Sequence, residues 1–263
     1  RLIDSGHAIV TSLTVSRHGH RWHASVLARV ERELPVRPTR RQQAAGRVGV
    51  DLGVKTVLTL SDPLTLQRGQ APVLAVDNPR LLQNTARKLA RAQRVMARRF
   101  VKGAAPQSKG YEEAKDKAAK LQALLSARRA TSQHLLTKRL VEQYAEVALE
   151  TLNTKGMTRS AKGTADKPGR NVRQKAGLNR AVLDVGFAEI NRQIEYKARW
   201  HAVTLARVPT FFPSSKRCHR CGWIDTGQTL ADRVFHCQAC GMVIDRDANA
   251  ARNIKNHATP VRP

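Results

Sequence analysis

All four cysteines of the 263-residue sequence fall in one stretch, CHRCGWIDTGQTLADRVFHCQACG, spaced as Cys218-x2-Cys221-x15-Cys237-x2-Cys240. Each Cys-x-x-Cys turn can aim two thiolates at one ion, and two such turns close a tetrahedral site with metal–sulfur bonds near ~2.3 Å. Two disulfides are the competing arrangement, but they need an oxidising compartment to which nothing in the sequence points. The expected occupant is a structural Zn2+, because four thiolates leave no position open for a substrate. Its binding would supply on the order of 10 kcal/mol to local folding. Trp223 and Phe235, between the two cysteine pairs, are expected to cover the small core of such a ribbon.

Three carboxylates stand where apolar segments stop. Asp51 lies inside VGVDLGVKTVLTLSD, 48–62, whose β-branched residues recur at nearly every second place, as in a strand with a buried face. An unpaired buried carboxylate costs several kcal/mol, so Asp51 must stand at an exposed strand end, be paired, or hold a cation. Glu150 ends the short apolar run EVALE, and Asp247 follows Asp245 at the start of the helical pattern DRDANAARNI. Asp245 reads as a helix cap, favoured there by the helix dipole. Asp51, Glu150 and Asp247 are 99 and 97 residues apart in order, each at the edge of a core-like segment. An RNase H-like sheet would gather such elements, so that three carboxylates hold two Mg2+ ions about 4 Å apart for in-line attack on a phosphodiester.

The elements that must position these groups follow from periodicity. Residues 7–31 alternate as two strands of a hairpin around Arg17-His18-Gly19-His20, and ELPVRPTRRQQAAGR is a Pro- and Arg-rich linker. Three short strands between Val48 and Val76 are expected to break at Ser61-Asp62-Pro63 and at Arg68-Gly69-Gln70. Residues 79–102 hold eight Lys or Arg and no acid, with Leu82, Leu89, Met96 and Phe100 in an apolar stripe at helical spacing. Residues 111–146 predict a second long helix with Leu121, Leu125, Leu136, Leu140 and Tyr144 along one side. A short strand ending at Glu150, a mobile basic loop over 153–177, a helix from Leu178 to His201 and a strand VTLARV complete the pattern.

The charge selects the partner. With 47 Lys and Arg against 20 Asp and Glu, the formal charge is +27, and self-repulsion of that size points to a polyanion, most commonly nucleic acid. His219 and His236, beside the cysteines, then read as surface residues available to it, and Lys55 as either a phosphate contact or a solvated lysine. No run of about 18 apolar residues predicts a membrane span. The chain starts at Arg1 within a strand-like pattern, so an N-terminally truncated protein is expected. DLGVKT also resembles the phosphate loop of sugar kinases and actin-like ATPases. That reading wants a second Asp-x-Gly loop, and the one present, Asp184-Val185-Gly186, lies in a helical pattern. A P-loop fails because Val54 precedes Lys55, and His18-Gly19-His20 lacks the central apolar residue of a tyrosine transposase.

GVDLGVKTVLTLSD, LETLNTKGM, LNRAVLDVGFAEINRQIEYKARWHA, FFPSSKRCHRCG and CQACGMVIDRDANAARNI, in this order from Gly46 to Asn256, resemble the successive motifs of the TnpB (OrfB) proteins of insertion sequences. These are relatives of compact type V CRISPR effectors. The resemblance implies an α/β fold: an RNase H-like (RuvC) mixed sheet with a long helical insertion and a four-cysteine zinc ribbon, after a β-hairpin remnant of a wedge or β-barrel domain. It implies the boundaries 1–45 for that remnant and linker, 46–212 for the nuclease part with helical insertion and lid, 213–242 for the target-binding ribbon and 243–263 for the last nuclease helix and tail. Asp51, Glu150 and Asp247 become the RuvC triad with Mg2+ or Mn2+, and Cys218, Cys221, Cys237 and Cys240 the Zn2+ ligands. The implied activity is DNA cleavage guided by an RNA from the transposon end, in a prokaryotic cytoplasm at the nucleoid and without a membrane partner. A catalytically silent nucleic-acid-binding remnant is the alternative. Most of the wedge and the helical recognition part that the family carries before residue 7 are expected to be missing, which bears on guide binding and target recognition.

Overall fold

The computed structural model describes residues 3–18, 21–31, 33–229 and 231–261. In chain order it forms β1 (Ala8–His18), β2 (Arg21–Val30), α1 (Arg40–Ala45), β3 (Arg47–Leu52), β4 (Thr56–Leu64), β5 (Val73–Asp77), α2 (Leu81–Arg99) and α3 (Lys109–Gln143). There follow β6 (Glu146–Glu150), α4 (Thr154–Met157), α5 (Val172–Val185), α6 (Phe187–Trp200) and β7 (Thr204–Val208). The last elements are β8 (Val234–His236), β9 (Val243–Asp245), α7 (Arg246–His257) and β10 (Thr259–Pro260). Two compact units result: Arg1–Glu33 with Arg80–Thr131, and Leu34–Pro79 with Ser132–Pro263. No helix among the described residues is long and apolar enough to cross a membrane.

In the first unit β1 and β2 form the expected antiparallel hairpin, from Ala8 opposite Val30 to His18 opposite Arg21. Gly19 and His20, half of the proposed turn, lie outside the described residues. Leu82, Leu89 and Met96 are half-buried along α2, whereas Phe100 falls just past its end, exposed, with its ring 5.8 Å from that of Tyr111.

The second unit is built on a six-stranded mixed sheet in the order β10-β7-β6-β3-β4-β5. Its centre, β3-β6-β7, is parallel, and the strands outside it are antiparallel. Val48, Val50, Leu58, Leu60, Val147 and Leu149 pack on one face with Leu136 and Leu140 of α3 and Ile190 and Ile194 of α6. Each fully buried Leu or Ile contributes roughly 1.5–3 kcal/mol. Ala148, Ala206 and Val208 pack with Ile254 of α7 and Ala258 just past its end on the other.

Small residues let α7 come close. A Cβ at Gly49 would stand 2.0 Å from the Ala251 carbonyl oxygen and 2.6 Å from the Lys255 amide nitrogen. The Gly49 amide donates to Ser61 Oγ at 2.7 Å, while Lys255 Nζ reaches Asp62 at 2.8 Å and the Arg47 guanidinium donates to the Lys255 carbonyl at 2.9 Å. Gly49→Ala is therefore expected to cost about 3 kcal/mol or more, since backbone rather than a flexible side chain must move. Urea unfolding of the variant beside wild type measures it, and an unchanged midpoint would contradict this packing.

Four expectations about elements are corrected. The Pro- and Arg-rich linker contains α1, closed by a reciprocal cap in which Thr39 Oγ1 accepts from the Gln42 amide and Gln42 Oε1 accepts from the Thr39 amide. Ser61-Asp62-Pro63 does not end a strand but continues β4, where Pro63 falls in the irregular stretch of the β4–β5 ladder and its missing N–H costs no regular bond. The first break lies instead at 53–55, while the second, over 65–72, contains Arg68-Gly69-Gln70 as expected. The helix expected over 178–201 is two, because Gly186 at φ 74° ends α5 and starts α6. Finally, 153–177 is not a single loop, since it contains α4 and the first residues of α5.

Candidate functional site

Strand register brings Asp51 and Glu150 together. β3 and β6 run parallel with Val50 opposite Leu149, so the next residue of each, Asp51 and Glu150, stand side by side at the same end of neighbouring strands. Side chains alternate across a sheet. With Val50 and Leu149 in the core of one face, Asp51 and Glu150 share the face of Gly49 and Ala148, over which α7 lies. Asp247 arrives by a matching step. Lys255 and Ala251 meet Gly49, and one helical turn before Ala251 is Asp247. Two residues of strand advance ~6.6 Å and four of helix ~6 Å, so Asp247 is carried towards Asp51.

The electrostatics agree with that placement. Asp51 is pushed up to about 8 from the usual carboxylate value, first by burial and then by the charges of Glu150 and Asp247, with Arg246 acting in the opposite direction. Burial also raises Glu150, partly offset by the hydrogen bond that Ser214 Oγ donates to its Oε1. Asp247 accepts from the Arg246 guanidinium at 3.2 and 3.3 Å. Asp245 is the cap expected, its Oδ1 accepting from the Asp247 and Ala248 amides at 3.0 and 2.9 Å. Among the described residues only the four cysteines draw three or more ligand atoms within 4.8 Å of one another, so the carboxylates form a wider group.

The cysteine cluster is closed. Cys218 Sγ lies 3.7 Å from Cys240 Sγ and Cys221 Sγ 3.5 Å from Cys237 Sγ, too far for disulfides. A tetrahedron of thiolates ~2.3 Å from one ion has edges of about 3.8 Å, so the four residues fit a zinc ion. Both turns are built alike. The Gly222 amide donates to the Cys218 carbonyl and the Gly241 amide to the Cys237 carbonyl, each at 2.9 Å, with the glycines at φ 82° and 69°. Phe235 is fully buried beneath the β8–β9 hairpin, and Trp223 packs 6.4 Å from its ring, so both cover the ribbon core as expected.

Two side chains outside the expected set join the cluster to the carboxylates. Asn249 and Asn253, fully buried on α7, hold the segment that enters the first cysteine turn. Asn249 Nδ2 donates to the Arg217 carbonyl at 2.7 Å and its Oδ1 accepts from the His219 amide at 3.1 Å. Asn253 Nδ2 donates to the Ser214 carbonyl at 2.8 Å. Ser214 in turn touches Glu150. His219 is accordingly half-buried against Asn249 rather than a free surface residue, whereas His236 is exposed. The signal available in the sequence was two amides four residues apart on the helix face that also carries Ala250 and Ile254. Asn249→Ala would leave the His219 amide unpaired and the Arg217 carbonyl with Asn253 as its remaining side-chain donor, an expected loss of roughly 1–3 kcal/mol. A thermal melt of the zinc-loaded variant reads it, and a wild-type melt would deny the clamp.

A mixed α/β sheet in which two neighbouring parallel strands, β3 and β6, carry carboxylates near one end beneath a helix, with a four-cysteine cluster joined to that helix, is the class that this geometry defines. The family profile described as "Probable transposase" (OrfB_IS605) matches residues 25–161, and the one described as "Cas12f1-like, TNB domain" matches 187–254. The chain belongs to this TnpB/OrfB transposase family. It is 34% identical over 246 residues to the "Putative RNA-guided DNA endonuclease InsQ" of Escherichia coli, covering 94% of this chain and 56% of that protein. It is 35% identical over 263 residues to a Mycobacterium tuberculosis protein named "Putative RNA-guided DNA endonuclease", covering 99% of this chain and 51% of that one. The chain thus spans about half the length of the curated relatives it matches. Its fold is similar to the protein in a solved Cas12f1-sgRNA-target DNA complex, with TM-score 0.54 and 16% identity over 97% of this chain and 47% of that one.

Proposed function

We propose that this chain is the catalytic part of a transposon-associated, RNA-guided DNA endonuclease that hydrolyses phosphodiesters at a RuvC-type site on an RNase H-like sheet. One observation carries the reading: the register that sets Asp51 beside Glu150 on parallel strands, under the helix that bears Asp247. The half-buried Asp51, its carboxyl pushed up to about 8 by desolvation and two neighbouring acids, is a group in want of a cation. Asp51, Glu150 and Asp247 would hold Mg2+ or Mn2+, which when bound supplies an activated water and stabilises the leaving 3′ oxygen. The protein's own part is positioning. Ser214 orients Glu150, the Arg207 guanidinium holds the Glu150 carbonyl at 3.2 Å, and Arg246 balances the acidic group until substrate and metal arrive.

In this reading the cysteines hold a structural Zn2+, residues 213–242 form the ribbon that meets the target strand, 46–212 with 243–263 form the nuclease, and 1–45 belong to a guide-binding wedge domain and its linker. Target DNA and an RNA from the transposon end are the partners, in a prokaryotic cytoplasm at the nucleoid. The basic stretch 153–177, which contains α4 and the start of α5, would act as the lid over the site.

The test is cleavage of labelled single-stranded and duplex DNA by the zinc-loaded chain in Mg2+ or Mn2+, with and without RNA copied from the element's end. Glu150→Gln is expected to abolish cutting while leaving DNA affinity nearly unchanged. Cutting that survives removes Glu150 from the site, and binding by wild type without any cutting favours the silent remnant.

A further inference from the structure

Two basic motifs that the nuclease reading leaves unused, Arg40-Arg41 of the linker and Arg68-Gly69 of the β4–β5 connection, meet at one cavity in the second unit. It has a volume of about 500 Å3 and is lined by Arg41, Thr65, Arg68, Gly69, Arg139 and Glu142, with Gln143. Its walls are fixed to the end of α3 by specific bonds. Arg139 Nε donates to the Leu66 carbonyl at 2.8 Å, Gln143 Oε1 accepts from the Thr65 amide at 3.0 Å, and the buried Gln42 donates through Nε2 to the Val141 carbonyl at 2.6 Å. The frame is therefore set by Gln42, Arg139 and Gln143, and Arg41 and Arg68 are left exposed around it. Glu142 is neutralised within the wall by Arg139 at 3.2 Å and Lys138 at 3.5 Å.

We propose that this cavity binds a phosphate group of a polynucleotide, as a second contact remote from the carboxylates. Three guanidiniums against one carboxylate leave a surplus of positive charge, and their planar N–H pairs match the oxygens of a phosphate. β4 places the site at the far end of the central strands: Asp51 lies opposite Thr59, whereas the cavity begins at Thr65, beyond the other end of β3. A strand held here is gripped away from the acidic group, which repels it until cations are bound. The proposal rests on the nucleic-acid partner named above but not on cleavage.

The experiment uses the zinc-loaded chain without Mg2+ and a 20-nucleotide single strand, 5′-phosphorylated or 5′-hydroxyl. Arginine modification by phenylglyoxal is read residue by residue by mass spectrometry, with and without the strand. Arg41 and Arg68 are expected to be protected about fivefold or more. Arg41→Gln with Arg68→Gln is expected to weaken binding about tenfold and to lower the slope of log K against log[salt] by about 0.7 for each phosphate released. A preference for the 5′-phosphorylated strand that the double variant loses identifies capture of a strand end, and equal protection by both identifies a backbone phosphate. A strand that binds while both arginines react at their free rates overturns the cavity alone. A chain that binds no strand overturns the cavity and the nucleic-acid reading together.

Discussion

Replacing Asp51 by asparagine is expected to cut strand cleavage on the order of 1,000-fold, some 4 kcal/mol of transition-state stabilisation, and at the same time to stabilise the protein when no divalent metal is bound. Both effects have one origin. The folded chain holds Asp51 near 8, against 3.8 for the free side chain, because ionising it costs burial and repulsion from Glu150 and Asp247. A carboxyl raised in this way binds its proton more tightly when folded. Its penalty is absent below about 4, grows as pH rises through the window from 3.8 to about 8, and is constant above it. The asparagine side chain, which does not ionise, carries no such penalty. Urea unfolding of the zinc-loaded chain, without Mg2+ or Mn2+, is expected to show the variant equal to wild type near pH 4 and more stable by on the order of a few kcal/mol at pH 8. A difference that does not change with pH would show that Asp51 is not strained, and with it would go the reason to place a cation there. Metal binding should release a proton near neutral pH, so calorimetry in buffers of different ionisation heat gives an independent reading.

The second large effect concerns the ribbon. Removing zinc, by chelation or by Cys221→Ser with Cys240→Ser, is expected to unfold residues 217–245 as a unit. The ribbon core consists of Cys218, Phe235 and Cys237 with Trp223, Cys240, Met242 and Ile244 around them, too little apolar surface to offset the ordering of the segment. A zinc ion held by the four thiolates would supply on the order of 10 kcal/mol. Hydrogen exchange should show the amides of Cys218 and Cys237 losing protection while those of Val50 and Leu149, in the main core, keep theirs. A ribbon that remains protected without metal would mean that the thiols, not an ion, hold it. The carboxylates should feel the loss, since Ser214 reaches Glu150 from the segment that Asn249 and Asn253 fasten to α7.

How much of this was legible depended on whether the signal is local. Cysteine spacing identified the cluster because four thiols have few other uses in so short a stretch. The β-branched pattern located β3, β4 and β6, and the place of each acid at the edge of a core-like segment made Asp51, Glu150 and Asp247 the candidates. What could not be read depends on partners distant in sequence. Pro63 looks like a strand breaker until the irregular ladder with β5 is known. Gly186 interrupts a helix whose apolar spacing continues across it, so periodicity alone could not find the break. Asn249 and Asn253 look like ordinary polar residues of a helix until the carbonyls of Ser214 and Arg217 arrive from more than 30 residues away. The capped turn of α1 was hidden by its Arg-rich flanks, although Thr39 and Gln42 stand at cap spacing.

The close seat of α7 on Gly49 also bears on when the site comes into being. Asp51 and Asp247 are 196 positions apart, and the contact that joins them closes one of the longest loops in the chain. Contacts of such sequence separation form late and slowly. On the ribosome, β3 and β6 can pair while α7 is still unmade, leaving two acids without the third. The three acids can therefore meet only after the basic helices and cysteine turns have been synthesised, so the growing chain carries its positive charge before the proposed site is complete.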